Sequence, residues 1–447
     1  MNETEEIVGS VTELLQAMIR NRCVNDGSLQ SGHEARNARE LSAILRVPGV
    51  DVEVFEALPD RSSVVARIEG RNPTAPTLLL LGHTDVVPAS ADGWSRDPFG
   101  GELVDGFVWG RGAIDMLNLT ASMAVAVRRL ALTGFRPEGT LIFAGVADEE
   151  AGGTYGTDWL LKSRPGTIDA DNVVTEWGGA IVDTDGGPRL WVTVGEKGLC
   201  WIRLLIRGIP GHGSRPLRAD NAIVKAAEVV HRIARFRPAP VVDAGWRLFV
   251  EGMTFPSGDR AALLDPSQIW TVIDRLPQYM AQRVHASTHL TVAPTVIRGG
   301  AKTNIIPDSV EIELDCRMLP GQSLMDVESF LNDALGDLRS EVEVVVIKES
   351  NGTVSSTQTR LWDCLTEVAS SLCVGAQCVP ALTTGSTDAR YFRERGIPAY
   401  GFGMFSRLLS VEDIGAMFHG LNERVDQESL RLSTELWIGL ARQLLLP

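Results

Sequence analysis

Three apolar runs of strand length each break off into histidine or acidic residues, and this constrains the fold more than any other feature. Residues 77–81 (Thr-Leu-Leu-Leu-Leu) lead into Gly82-His83-Thr84-Asp85, residues 140–146 lead towards Asp148-Glu149-Glu150, and residues 173–174 run towards Glu176. Continuous apolar runs suit strands buried on both faces. Between them lie helical stretches: 5–20, with Ile7, Val11, Leu14, Leu15 and Ile19 on one face, then 35–46, the Ala-rich 119–132, and 155–162. Such alternation predicts an α/β fold, a sheet sandwiched by helices, with polar residues gathered where strands end.

The rhythm changes near Gly195. A strand at 200–206, a helix at 221–234, a Pro- and Gly-rich stretch at 237–268, strands at 289–297 and 309–316 and a helix at 324–337 suggest a small α+β domain set into a larger one. The large-sheet signal returns at 343–347, followed by a helix at 359–373, a run at 398–402 and a closing helix at 428–444. A chain of 447 residues is too long for one ordinary core. The expected division is 1–195 with 317–447 for the larger unit and 196–316 for the insertion, whose second edge falls between 316 and 350.

Composition narrows the partners. With 42 basic against 57 acidic residues the net charge is −15, which argues against nucleic acid or an anionic membrane. No segment approaches the roughly 20 apolar residues of a membrane span. The acidic start, MNETEEIVGS, is unlike a signal peptide. The six cysteines form no CxxC pair and read as small apolar residues in a reducing compartment, so the cytoplasm is the expected address.

The chemistry-bearing residues follow from position. His83 would emerge at the sheet rim, and Asp85 could accept its second N–H and fix the tautomer of a metal-bound ring. The turn Gly110-Arg111-Gly112-Ala113-Ile114-Asp115 would bring the Asp115 carboxylate close to a metal, although Asp115 could equally cap the following helix. Burying Asp148, Glu149 and Glu150 together is costly without cations, so one could coordinate while its neighbour stays free as a base; a solvated acidic turn is the plainer reading. With Glu176 and His419 the set is two histidines and several carboxylates, a mixed N/O donor set that suits zinc, with Co2+ or Mn2+ as substitutes. His33, His231, His285 and His289 match no metal position.

These motifs, in this order from the first helix to the last, resemble the family of di-zinc amidohydrolases that includes aminoacylase-1, the glutamate carboxypeptidases, carnosinase-type dipeptidases, acetylornithine deacetylase and succinyl-diaminopimelate desuccinylase. The resemblance implies a zinc-peptidase-like mixed sheet between helices, with the insertion as a ferredoxin-like lid and dimerisation domain. It implies that His83, Asp115 and Glu176 hold one Zn2+ and Asp115, Glu150 and His419 another, that Asp85 orients His83, and that Glu149 is the general base. His212, in Gly211-His212-Gly213-Ser214, would reach across a homodimer interface to the partner's site. Asn304, Arg317, Ser386 and Arg390 match substrate-contacting positions. Many members follow the bridging Asp with Met-Lys, whereas here Asp115-Met116 precedes Leu117 and Asn118. Trp94, Asp97-Pro98-Phe99 and Trp109-Gly110-Arg111-Gly112 are most similar to the aminoacylase and carboxypeptidase-S side. The expected reaction is metal-assisted hydrolysis of an N-acyl amino acid, with small peptides as the alternative and a non-catalytic ligand-binding relative as the remote one.

Overall fold

The computed structural model describes residues 3–446. A ten-stranded mixed sheet runs, in spatial order, through Asp51–Leu58, Arg61–Ile68, Leu141–Val146, Leu78–His83, Asn172–Thr175, Ala399–Gly401, Gly187–Glu196 and Thr353–Val354. Gly178–Thr184 and Gln377–Thr383 also pair with Gly187–Glu196. Leu78–His83 is parallel to both neighbours, so its C-terminal end emerges on the same edge as theirs. That edge receives His83, the 148–150 turn and Glu176. The four leucines of the central strand divide by the two-residue period: Leu78 and Leu80 join a core with Leu15, Leu130 and Leu440, while Leu79 and Leu81 join one with Leu160 and Phe392. The first core lies under helices Glu3–Arg20, Leu117–Leu132 and Gln427–Leu445. Gly82 is required by close approach, because a Cβ there would run into Thr120, whose Oγ1 donates to the His83 carbonyl at 2.8 Å.

A second, antiparallel sheet of four strands has the spatial order Thr291–Gly299, Ser309–Met318, Gly198–Arg207, Val342–Ser350. Helices Ala222–Arg235 and Leu324–Leu335 bury Ala226, Val229, Val327 and Leu331 in its core. Its elements run strand–helix–strand–strand–helix–strand, and its C-terminal edge does not stop at 316. Residues 343–347, expected in the large sheet, pair with Gly198–Arg207 instead, from Ile206↔Val342 to Leu199↔Ser350. The run Val-Glu-Val-Val-Val-Ile supplies β-branched side chains for either sheet, and pairing alone decides between them.

The Pro- and Gly-rich stretch also departs from expectation. It holds Ala244–Gly252 and Ser257–Leu263, and Ile269–Ile273 and Gln278–Thr288 follow it before the next strand, four helices too short for the 3.6-residue period to be seen between their breakers. They pack on the large sheet: Trp246, Phe249, Val272 and Val284 share a core with Trp191, Val379 and Ala381. Lys197 ties their end to the small sheet, donating to the Ala286 and His289 carbonyls and to Thr291 Oγ1 at 3.0, 2.7 and 3.1 Å.

His289 is buried at this join. Its Nδ1 lies 2.9 Å from Thr288 Oγ1 and 3.1 Å from the His285 carbonyl oxygen, and its Nε2 has no partner. Burial, with His285 alongside, pulls its pKa from 6.5 down to about 3. Between those values the unfolded chain binds the proton and the folded chain does not. Stability from this group is therefore complete above pH 6.5 and falls as pH drops, by about 1.4 kcal/mol per unit. His289→Leu should remove that slope. Urea unfolding of both proteins at pH 7, 6 and 5 reads the difference, and a pH-independent gap between them would contradict a neutral buried His289.

Candidate metal centre

The strand ends bring two overlapping sets of donors together. Donor atoms of His83, Asp115 and Glu176 lie within 4.8 Å of one another, as do those of Asp115, Glu150 and His419. His83 Nε2 stands 3.3 Å from Asp115 Oδ1 and 3.5 Å from Glu176 Oε2; His419 Nε2 stands 3.2 Å from Asp115 Oδ2 and 3.3 Å from Glu150 Oε2. Asp115 thus faces both sets with different oxygens. Glu149 Oε2 is farther off, 4.0 Å from His83 Nε2. Asp148, Trp177 and His419 hold φ of 71°, 73° and 55°, sparsely populated for non-glycine residues, and each is a donor or lies within two residues of one.

The supporting hydrogen bonds differ from expectation in one respect. His83 Nδ1 meets the Asp85 main-chain carbonyl at 2.9 Å, while the Asp85 carboxylate is 3.6 Å away. That carboxylate is taken up by the N–H groups of Glu149 and Glu150, at 3.2 and 3.1 Å, and by Asn25 at 2.9 Å. Asp85 therefore orients His83 through its backbone and fixes the acidic turn through its side chain. Asp148 stabilises the same turn from beneath, accepting from Arg61 at 2.7 Å and from the Tyr155 N–H at 2.9 Å, and Arg61 in turn grips Glu34.

Glu423, which the sequence reading did not single out, joins the two turns that carry Asp115 and His419. Its carboxylate accepts from the N–H groups of Gly112, Ile114 and Asp115 at 3.0, 2.7 and 3.1 Å, and from Arg111 at 2.8 Å. Arg111 also donates to the His419 and Gly420 carbonyls. Gly112, at φ 90°, allows the tight turn that points these N–H groups one way.

Burial pushes Glu149 and Glu176 well above the usual carboxylate range, helped by repulsion from Glu176 in the first case and from Asp115 in the second. Burial would raise Asp115 too, but hydrogen bonds from His419 and His83 hold it below that range. Asp115 and Glu150 raise His419 to about 10. The field that draws protons onto these imidazoles also attracts a divalent cation, and Glu150 Oε1 is a buried oxygen with no hydrogen-bond partner. Three N/O donors per set, one carboxylate common to both, fit a two-metal centre with room for water.

The remaining candidates lie apart from this cluster. His212 and Asn304 are neighbours on an exposed two-stranded ribbon, Gly211–His212 against Ile305–Ile306, where the Gly213 N–H donates to the Asn304 carbonyl at 2.8 Å. Arg317, on the small sheet, pairs with Asp315 of its own strand at 2.8 Å. Ser386 is half-buried in the loop before Arg390. Arg390 donates to the Gly152 carbonyl at 2.8 Å and so braces the acidic turn.

The model of the peptidase family M20/M25/M40 matches residues 79–443. The chain belongs to that family. Among relatives, aminoacylase-1 of Sus scrofa is 29% identical over 408 residues, spanning 89% of this chain and 88% of that protein. The N-fatty-acyl-amino acid synthase/hydrolase PM20D1 of Xenopus tropicalis is 25% identical, spanning 84% and 73%. The M20 family metallo-carboxypeptidase Sso-CP2 from Sulfolobus solfataricus shares the fold, with a TM-score of 0.69 at 18% identity over 99% of both chains.

Beside this M20/M25/M40 centre, a cavity of about 380 Å³ begins at Glu176. Its wall is largely apolar, with Leu119, Trp191, Phe405 and Ile414, and Arg283 stands among them. Trp177 also lines it, stacked on Phe418 with ring centroids 4.3 Å apart. Among the described residues no helix is long and apolar enough to cross a membrane.

Proposed function

We propose that the protein hydrolyses the amide bond of N-acyl amino acids at a two-metal centre. The observation that carries this reading is the pair of donor sets sharing Asp115, with Glu149 beside them and outside both. His83, Asp115 and Glu176 would hold one ion and Asp115, Glu150 and His419 the other, with zinc the metal the donors favour. When bound, the two ions lower the pKa of a water and polarise the substrate carbonyl. Glu149 takes the proton of the attacking water and returns it to the leaving nitrogen. The aminoacylase-1 and PM20D1 relatives support N-acyl amino acids over small peptides.

His212 is proposed to act across a homodimer interface, donating to the oxygen of the tetrahedral intermediate in the partner's site. Its exposed ribbon, with Ile209, Leu217 and Ile305 also exposed nearby in sequence or structure, supports an interface there. Asn304, Ser386, Arg317 and Arg390 are proposed substrate contacts, with Arg317 also paired to Asp315 and Arg390 also bonded to the Gly152 carbonyl. The six thiols, none in a disulfide, suit a reducing compartment.

The test is amine release from a panel of N-acyl amino acids and dipeptides by zinc-loaded protein, with metal content and particle mass measured on the same preparation. Expected are about two ions per chain, a dimer, and release from acyl amino acids that a chelator abolishes and zinc restores. Chelator-insensitive release would contradict the two-metal reading, and a fully active monomer the role of His212.

A further inference from the structure

The buried arginines Arg61, Arg111, Arg189 and Arg393 all have strong acceptors: Arg61 has Glu34 and Asp148, Arg111 has Glu423, Arg393 has Glu196, and Arg189 is held by the carbonyls of Gly186, Gly187, Pro188 and Gly252. Arg283 is different. Among the described residues no carboxylate pairs with it, its Nε is buried with no partner, and its polar neighbour is the Tyr279 hydroxyl. The guanidinium lies over the Trp191 ring, 3.7 Å from the centroid. It stands where two cavities adjoin, the one that begins at Glu176 and another of about 630 Å³ bordered by Trp246, Phe249 and Val354.

We infer that Arg283 is the receptor for a substrate carboxylate, so that the enzyme selects anionic amides whose apolar part fills the cavity between Glu176 and Arg283. The inference rests on the hydrolase reading above and adds its specificity. Stacking on Trp191 uses the face of the guanidinium and leaves its edge for a bidentate pair with a carboxylate. Desolvation by the surrounding apolar wall lowers its pKa to about 10, a penalty that an incoming anion offsets. Arg317 and Arg390, the arginines of the sequence motifs, already have partners.

Position strengthens the case. Arg283 belongs to Gln278–Thr288, whose Val284 is buried in the core under the large sheet. Trp191 beneath it lies on Gly187–Glu196, and the neighbouring Val192 pairs with Gly178, two residues after Glu176. Receptor and metal centre are therefore both built on the large sheet. The cavity volume falls in the range of about 300–1,000 Å³ common to small-molecule sites.

The test separates recognition from turnover. Zinc-loaded protein is titrated with 4-phenylbutyrate and with neutral 4-phenylbutyramide, followed by tryptophan fluorescence, and the same is done for Arg283→Met and Arg283→Lys. The acid should bind about 10- to 100-fold more tightly than the amide, the scale of hydrogen bonds to charged groups. Arg283→Met should lose this preference while binding the amide as before, and Arg283→Lys should keep part of it. In parallel, kcat/KM for N-acetylphenylalanine relative to N-acetylphenylalaninamide should fall in Arg283→Met through the acid alone. A Met variant that folds and keeps the wild-type acid preference overturns the inference, whether or not hydrolysis is seen. Arg283-dependent acid binding without any turnover would sustain it while removing the hydrolase reading.

Discussion

Glu149→Ala should keep its metal and lose at least about 10²-fold in kcat, the scale of general-base catalysis, with KM little changed. Glu149 sits at the cluster without belonging to either donor set: its carboxylate is 4.0 Å from His83 Nε2, against 3.3 Å for Asp115. Its backbone is held at both ends, the N–H by Asp85 and the carbonyl by the Gly152 N–H, and removing the side chain leaves these bonds in place. Its raised proton affinity, from burial and from Glu176, suits a group that must take up a proton and release it again. Metal content by elemental analysis and single-turnover kinetics on the variant check the prediction. Turnover near wild type would assign the base elsewhere; loss of one ion would make Glu149 a ligand.

Glu423→Ala should be the most destabilising single substitution near the site. It leaves Arg111 charged, buried and unpaired, at about 3–5 kcal/mol for a broken buried pair. It also frees three N–H groups of the Asp115 turn and loosens the Arg111 contacts to the His419 turn. Metal affinity should fall by about 10- to 100-fold, as when other supporting residues of metal ligands are lost. Urea unfolding and zinc titration against a competing chelator measure the two effects. Unchanged zinc affinity in a folded variant would mean that the two turns hold their positions without Glu423.

What could be read from the sequence was whatever lies close along the chain. His83 and Asp85, the acidic triplet and Glu176 follow strands whose apolar runs mark them, so the parallel order of those strands put three donors on one edge. Asp115 carried no strand signal and was marked by its Gly-rich turn, and His419, plain in its own window, entered as the second histidine of the set; their assignment to particular ions came from the resemblance. Glu423 and Arg111 act on each other across 312 positions, and neither is unusual in its local window. Nothing local marks Asn25, Glu34 and Arg61 as the base of the acidic turn either. The run at 343–347 was legible as a strand but not as to which sheet it joins, because β-branched residues suit both. Arg283 was lost with its helix, the last of the four short ones; it lies beyond the Pro- and Gly-rich stretch at 237–268 in a segment to which the sequence reading assigned no element.

Those four helices also set a limit on how this protein can be dissected. Thr353 pairs with Glu196, so the chain leaves the large sheet for the small one and returns to it at adjacent strands. Such geometry invites a minimal enzyme made by splicing Glu196 directly to Thr353. That deletion would strip Ala244–Gly252 through Gln278–Thr288 from the large sheet as well, leaving Trp191, Val379 and Ala381 facing water. A soluble truncation would have to retain residues 244–288 on a new linker. In engineering terms, the module that can be exchanged between relatives is the small sheet with its two helices, not everything that lies between the splice points.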